Sequence, residues 1–140
     1  MSLSGTTFNV TSTYTSSRTT ASATTSSLAD QASGNIDITA AKAYALLKIQ
    51  TSHAAWVTVY TSAQARNNDS SRNITTDPLP GAGVIAEVIT SDGAKQPLTP
   101  GIIGWNDSSP VNTSAFIKVV NKSGFTNAIT ITLHYVPLEA

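Results

Sequence analysis

The side chains that could carry out catalysis are few in this chain of 140 residues. It has two histidines, His53 and His134, and no cysteine, so disulfides, thiolate zinc sites and cysteine nucleophiles are excluded. A zinc or iron site needs histidines grouped with carboxylates at ligand spacing, and the sequence has no such group. No Gly-x-Ser-x-Gly motif points to a Ser-His-Asp triad. The sequence therefore predicts a protein that is not an enzyme and has no cofactor or metal.

A long polar stretch, residues 63–83, holds much of the remaining polar chemistry. Arg66 and Arg72 flank Asp69, which favours a local ion-pair clasp that orders the stretch and has a structural role. Gly81-Ala82-Gly83 precedes a predicted strand, which indicates turn geometry and not phosphate binding. Oxygen-bearing side chains could hold calcium, but their spacing matches no calcium motif and solvated turns explain them better; they are Asn67, Asp69, Ser70, Asp77 and Asp107.

The charge of the chain is low and balanced. Eight basic and eight acidic residues cancel, so the sequence carries no electrostatic signal for nucleic acid or for an anionic membrane. Charged residues make up 11% of the chain, less than half of the roughly 25% that is usual. A surface built from Ser, Thr, Asn and Gln is poorly protected against association, which favours a protein in a permanent assembly. The first residues lack the features of a signal peptide, and no apolar run spans a bilayer, so we expect synthesis in the cytosol.

Alternating apolar and polar residues predict six or seven short strands and no convincing helix. Lys42–Ser52 and Trp56–Ser62 form one predicted hairpin, and Ala115–Val120 and Ala128–Val136 form a second. In the first of these strands the alternation places Ala43, Ala45, Leu47 and Ile49 on one face. Prolines make the segment around Ile102–Trp105 hard to continue as a regular strand. These features predict an all-β, antiparallel β-sandwich over residues 35–140, either jelly-roll or immunoglobulin-like.

Residues 1–34 differ in composition and are predicted to be an extended, Ser/Thr-rich N-terminal arm. Between Thr11 and Ser27, 13 of 17 residues are Ser or Thr, too polar a stretch to bury a core of its own. Phe8, Val10 and Tyr14 nevertheless share one face of a strand pattern. One interpretation is an arm that pairs as a strand when a neighbour supplies a sheet edge. The alternative is an unstructured tail.

Glu87 lies between Ile85 and Ile89 on one face of a predicted strand. Two interpretations remain open. Either this face meets water and a partner covers the two isoleucines, or Glu87 pairs with a basic group such as Lys48 or Lys118.

Three segments resemble a small virion-associated module of tailed phages that infect marine cyanobacteria: residues 55–90, residues 98–124 and the ending TITLHYVPLEA. The likeness covers about residues 41–140, roughly 70% of the chain, and is most specific at SRNITTDPLPGAGVIAEVIT and the final LEA. The resemblance implies a β-rich, non-enzymatic building block of the particle, and it brings no catalytic residues. Trp105 is a departure, because a less bulky aromatic is usual there.

The expectation is therefore a non-enzymatic virion structural protein, made in the host cytoplasm. The first hypothesis is a capsid decoration or cement protein that binds the shell exterior, with the major capsid protein, other virion proteins and further copies of itself as partners. The alternative is a neck, baseplate or tail-fibre component in which Trp105, Tyr60 and polar loops bind a surface glycan. The residues expected at assembly contacts are Phe8, Val10, Tyr14, Asp69, Arg72, Asp77, Ile102, Ile103 and Trp105.

Overall fold

A computed structural model describes residues 16–140 as eight strands and one short helix. The prediction of an all-β chain of antiparallel strands is confirmed. Within residues 16–140, no helix is long and apolar enough to cross a membrane. The elements are β1 (Thr19–Thr24), β2 (Ser33–Thr39), β3 (Ala43–Thr51), β4 (Ala55–Tyr60), α1 (Ala63–Asn68), β5 (Val84–Ile89), β6 (Lys95–Trp105), β7 (Ser114–Asn121) and β8 (Thr130–Glu139).

The strands form two four-stranded sheets, consistent with the predicted sandwich. The order is β1-β8-β3-β6 in the first sheet and β2-β7-β4-β5 in the second sheet. The strand pairs include the first with the last, the second with the seventh, the third with the sixth and the fourth with the fifth. Both predicted hairpins are wrong, because β3 and β4 lie in different sheets, and so do β7 and β8. A short connection can cross the roughly 10 Å between packed sheets as easily as it can turn within one sheet.

The core lies between the two sheets, and the inward side chains alternate along most strands. In β8, Ile131, Leu133 and Tyr135 are buried while the residues between them are partly exposed, as the alternation predicts. Each fully buried Val, Leu or Ile contributes about 1.5–3 kcal/mol to folding. The largest buried aliphatic side chains, with under 2% exposure, are Ile38, Leu46, Ile49, Ile117, Ile129, Ile131, Leu133, Val57, Val59 and Val119.

The predicted faces of β3 are wrong in one half of the strand. A β-bulge at Leu47 shifts the register, because Leu46 pairs with Tyr135 while Lys48 pairs with the next residue, His134. An extra residue in one strand inverts the alternation beyond it. Leu46 and Ile49 are consequently both fully buried, three positions apart.

Part of the segment predicted as an extended arm belongs to the sandwich. Thr19–Thr24 forms β1, which pairs along its whole length with β8 at the edge of the first sheet. Ala21 and Ala23 pack against the core, while the alternate Ser and Thr side chains face outward. Small Ala side chains gave too weak an apolar signal for this strand to be predicted. Phe8, Val10 and Tyr14 lie outside the described residues.

Prolines do not prevent a strand in β6, contrary to expectation. β6 is an edge strand of the first sheet, and Pro97 and Pro100 are tolerated where a free edge needs no donors. Its pairing with β3 stops at Pro97 and resumes at Ile102.

Candidate functional site

The stretch from Thr61 to Gly83 folds across the outer face of the second sheet, and we call it the cover. It begins with α1, where the Ser62 side chain accepts a hydrogen bond from the Ala65 amide at 3.0 Å and caps the helix. Because this cover lies on one face and the core on the other, β4 is buried at every residue. The predicted long loop thus contains a short helix, which the sequence did not indicate.

Arg72 joins the cover to the sheet beneath it. Its Nε donates to both carboxylate oxygens of Asp69, at 2.9 and 3.0 Å, and its Nη2 pairs with Glu87 of β5. The Tyr60 hydroxyl donates to Asp69 at 2.6 Å, and the guanidinium lies 5.3 Å from the ring centroid of Trp56. We call these five residues the loop clasp. The predicted pairing of Arg72 with Asp69 is confirmed, and Glu87 has a basic partner other than the two proposed.

Arg66 takes a different position from the one predicted. It does not pair with Asp69 but donates from Nη1 to Asp37 of β2 at 2.8 Å and to the Ile36 carbonyl at 3.0 Å. Its guanidinium lies 5.5 Å from the ring centroid of Phe116. The side chain points from α1 down to β2 and β7, so it fastens the helix to the sheet.

Burial and the clasp charges alter the pKa values of three groups. Burial raises the pKa of Tyr60, and its hydrogen bond to Asp69 raises it further. Burial opposes the charge of Arg72, but its hydrogen bonds to Glu87 and Asp69 outweigh that effect and raise its pKa. Burial lowers the pKa of Lys118, and the carboxylate of Asp69 only partly offsets this. Lys118 donates from Nζ to the Ser70 carbonyl at 2.7 Å, which gives the ammonium group one acceptor.

The structure divides the residues that we expected at assembly contacts. Asp69 and Arg72 have side chains only 9% and 6% exposed, so their groups are engaged within the chain. Ile102 faces the core, whereas Ile103 and Asp77 are exposed. The sequence suggested one segment, Ile102–Trp105, but strand alternation sends Ile103 and Trp105 to one side and Ile102 to the other.

The exposed side of that segment carries two large apolar side chains, and one of them, Trp105, shares a groove with Leu79 of the cover. Ile103 is 56% exposed and Trp105 is 50% exposed, and both stand on the outer face of the first sheet beside Ala45 and Ala43. Leu79 of the cover is 78% exposed and lines the same groove as Trp105. We call Ile103, Trp105 and Leu79 the apolar patch. Sequence analysis missed Leu79, although its place between Pro78 and Pro80 predicts an exposed turn.

A groove of about 730 Å³ opens beside Trp105. One side is formed by the Pro78–Val84 turn, and the remaining lining includes the polar side chains of Gln64, Asn68 and Asp107. Gln64 donates to Asn68 at 2.8 Å, within α1. The groove combines a flat aromatic side chain with amide and carboxylate groups.

Basic side chains gather at the other end of the first sheet. His134 of β8 stands opposite Lys48 of β3, and Lys95 of β6 is close enough that both ammonium groups act on the imidazole. Arg18 lines the same shallow pocket as Lys48 and His134. Burial, followed by the charges of Lys95 and Lys48, lowers the pKa of His134.

Among residues 16–140, no three His, Cys, Asp or Glu side chains come together as they would around a metal ion. No known protein family, curated protein or solved structure matches the chain. The candidate functional site comprises the apolar patch and the groove at Trp105, where large apolar side chains are exposed beside polar groups.

Proposed function

We propose that this chain is a non-enzymatic structural protein of a phage virion, and specifically a capsid decoration or cement protein. Its partners would be the major capsid protein on the shell exterior and further copies of itself. The observation that carries the proposal is the apolar patch, which exposes three large side chains on a chain with few charges. Large exposed apolar side chains that lie together mark protein contact surfaces.

The strand pairing supports the same proposal at the level of architecture. Pairing of the first strand with the last, and so on inward to the fourth with the fifth, is the scheme of an eight-stranded jelly roll, the finer fold that we propose. Jelly rolls occur in viral capsid proteins and in lectin domains. Because one architecture serves many functions, this support is by analogy. The resemblance to virion modules of cyanobacterial phages points in the same direction.

A second candidate function is favoured by the groove at Trp105. A half-exposed indole can stack on the apolar face of a sugar ring, while Gln64, Asn68 and Asp107 could bind its hydroxyls. The chain would then be a neck, baseplate or tail-fibre component that binds a surface glycan. Lectin domains with a jelly-roll architecture are consistent with this candidate.

The copy number of the chain in purified particles tests the proposal, measured by quantitative mass spectrometry against the major shell protein. A number comparable to that of the shell protein supports decoration. A small fixed number supports the second candidate, and absence from the particle contradicts both.

Two serine variants then test the contact surface. Trp105→Ser in the apolar patch should lower particle occupancy, because it removes the largest exposed apolar side chain. Phe125→Ser is the matched control, since Phe125 is also exposed but lies in the β7–β8 loop at the opposite end of the sandwich. Equal occupancy of both variants and the natural chain would contradict a role for the patch.

A further inference from the structure

The flank of the sandwich formed by β5 and β6 is open. β5 ends the second sheet and β6 ends the first, and a groove of about 600 Å³ separates them. Val88, Ile89, Leu98 and Ile102 line this groove. We call it the edge groove. Leu98 and Ile102 pack partly against the core, so apolar side chains inserted here would extend the core outward.

The outer edge of β5 has free backbone groups. The Thr90 amide donates to the Ala55 carbonyl of β4 at 2.8 Å, with Ile89 directly opposite Trp56. In an antiparallel ladder, this pattern turns the amide and carbonyl groups of Ile89 and Glu87 away from β4. No strand of residues 16–140 pairs with that edge. β5 contains no proline, whereas Pro97 and Pro100 limit any pairing at β6.

We propose that residues 8–14 of a second copy of this chain add a strand to the outer edge of β5. Residues 1–15 carry no charged side chain and place Phe8, Val10 and Tyr14 on one alternation face. These three side chains would enter the edge groove, while the backbone would satisfy the free groups of Glu87 and Ile89. The inference names the self-contact of the proposed virion protein and takes its biological meaning from that function.

The donor is a second copy because the same chain cannot reach. β1, which follows residues 1–15, lies at the opposite edge of the sandwich from β5 and β6. A strand outside β5 lies about four strand spacings away, roughly 19 Å. The five residues from Tyr14 to Thr19 span at most about 17 Å when fully extended. Phe8–Tyr14 as a whole therefore fits only the groove of a neighbour.

The geometry also limits the type of assembly. The donor segment leaves from one edge of the sandwich and the acceptor edge lies on the opposite one, so each arm contact joins two different surfaces. Two chains can exchange arms reciprocally in a closed dimer. Without reciprocal exchange the contact is head-to-tail, and it forms rings when the rotation closes and open filaments when it does not. Such a contact suits repeated display around a shell or a ring.

Size-exclusion chromatography with light scattering on the full chain tests the inference. We expect assemblies of two or more chains whose share rises with concentration. The double variant Phe8→Ser/Tyr14→Ser should elute as single chains. Ile89→Pro should also do so, because proline removes a donor that β4 does not use. Ile89→Ala trims the groove lining but keeps that amide, so it should retain part of the assembly that Ile89→Pro loses.

Hydrogen exchange on the natural chain gives a second result that does not depend on how Ile89→Pro folds. The amides of Glu87 and Ile89 should become protected as assemblies form, and they should exchange rapidly in the Phe8→Ser/Tyr14→Ser variant. A single-chain species at every concentration would overturn the inference, as would protection along β1 in place of β5. Copy number in particles is a separate measurement. If the protein decorated particles but remained a single chain in solution, only this inference would be overturned. If it assembled in solution but were absent from particles, only the proposed function would be overturned.

Discussion

Arg72 holds Asp69, three positions earlier in the chain, because its Nε donates to both carboxylate oxygens at 2.9 and 3.0 Å. Because Arg72 also pairs with Glu87 of β5 and lies over Trp56, it ties the cover to the second sheet. Arg72→Ala would leave two carboxylates without their cation. We expect a loss of roughly 2–4 kcal/mol in the free energy of unfolding, measured by urea denaturation.

Two other substitutions make the Arg72 result specific. Arg72→Lys keeps the charge but loses the planar contact with Asp69 and Trp56, so it should recover only part of the loss. Arg18→Ala removes an exposed arginine outside the loop clasp and should change stability by less than about 0.5 kcal/mol. If Arg72→Ala lowered the free energy of unfolding no more than Arg18→Ala does, the loop clasp would not stabilise the packing of the cover on the second sheet.

Tyr60 and Tyr44 are both buried, but only one hydroxyl has a partner. The Tyr60 hydroxyl donates to Asp69 at 2.6 Å, whereas the Tyr44 hydroxyl has no partner among residues 16–140. Burial, together with the neighbouring Tyr135, raises the pKa of Tyr44 to about 12. Tyr60→Phe should cost about 1–2 kcal/mol, because the Asp69 carboxylate loses one of its donors and keeps Arg72.

Tyr44→Phe should be neutral or slightly stabilising, because it removes a buried polar atom that forms no hydrogen bond. The same denaturation measurement compares the two variants, which delete the same atom. Equal losses of the free energy of unfolding in the two variants would show that the hydrogen bond from Tyr60 to Asp69 does not stabilise the fold.

The sequence predicted strands well where one face of the strand is exposed to solvent and the other is buried. β8 shows this best, because Thr130, Thr132 and His134 alternate with fully apolar residues. β4 was also predicted as a strand, at Trp56–Ser62, but its burial on both faces was not, because the cover that buries its second face is a long-range contact. The partner sheet of each strand was also not predictable, because alternation has the same period in a hairpin and in a crossing between sheets.

Only part of the candidate site was predicted from the sequence, again because local patterns do not encode long-range contacts. Trp105 and Ile103 were expected at a contact, and both are exposed in the structure. Their separation from Ile102 follows from the register of β6 on β3, which the prolines obscured. Leu79 joins Trp105 only because the cover folds back to the end of β6, a long-range contact that no local pattern encodes.

Gly104 should not tolerate a side chain. A Cβ at this position would lie 2.5 Å from Cε2 of Tyr44, whose ring is buried and packs edge-on against Tyr135 at 5.9 Å. We expect Gly104→Ala to lower the free energy of unfolding by about 1–3 kcal/mol through overpacking. Gly101→Ala, in the same strand, meets nothing closer than 3.5 Å and is the control. Equal stability of the two variants in thermal unfolding would contradict this packing.

His134 should make stability fall as pH drops below about 6.5, the pKa of an unfolded histidine. Its pKa is lowered in the folded chain, first by burial and then by Lys95 and Lys48, while the unfolded value is about 6.5. In the window between the two values, the unfolded chain binds more protons than the folded chain. Stability therefore rises with pH across this window and is lost as pH falls through it. Within the described part of the chain, the charged groups that face the imidazole are Lys48, Lys95 and Arg18, and no carboxylate there offsets the effect.

Thermal unfolding of His134→Gln at a series of pH values checks this prediction. Glutamine can keep a hydrogen bond to Gln50, which lies 3.0 Å from Nε2 in the natural chain, but it does not titrate. The variant should lose melting temperature more slowly than the natural chain as pH falls from 7.5 to 5.5. If His134→Gln kept the slope of the natural chain, protonation of His134 would not cause the pH dependence, and it would originate elsewhere in the fold.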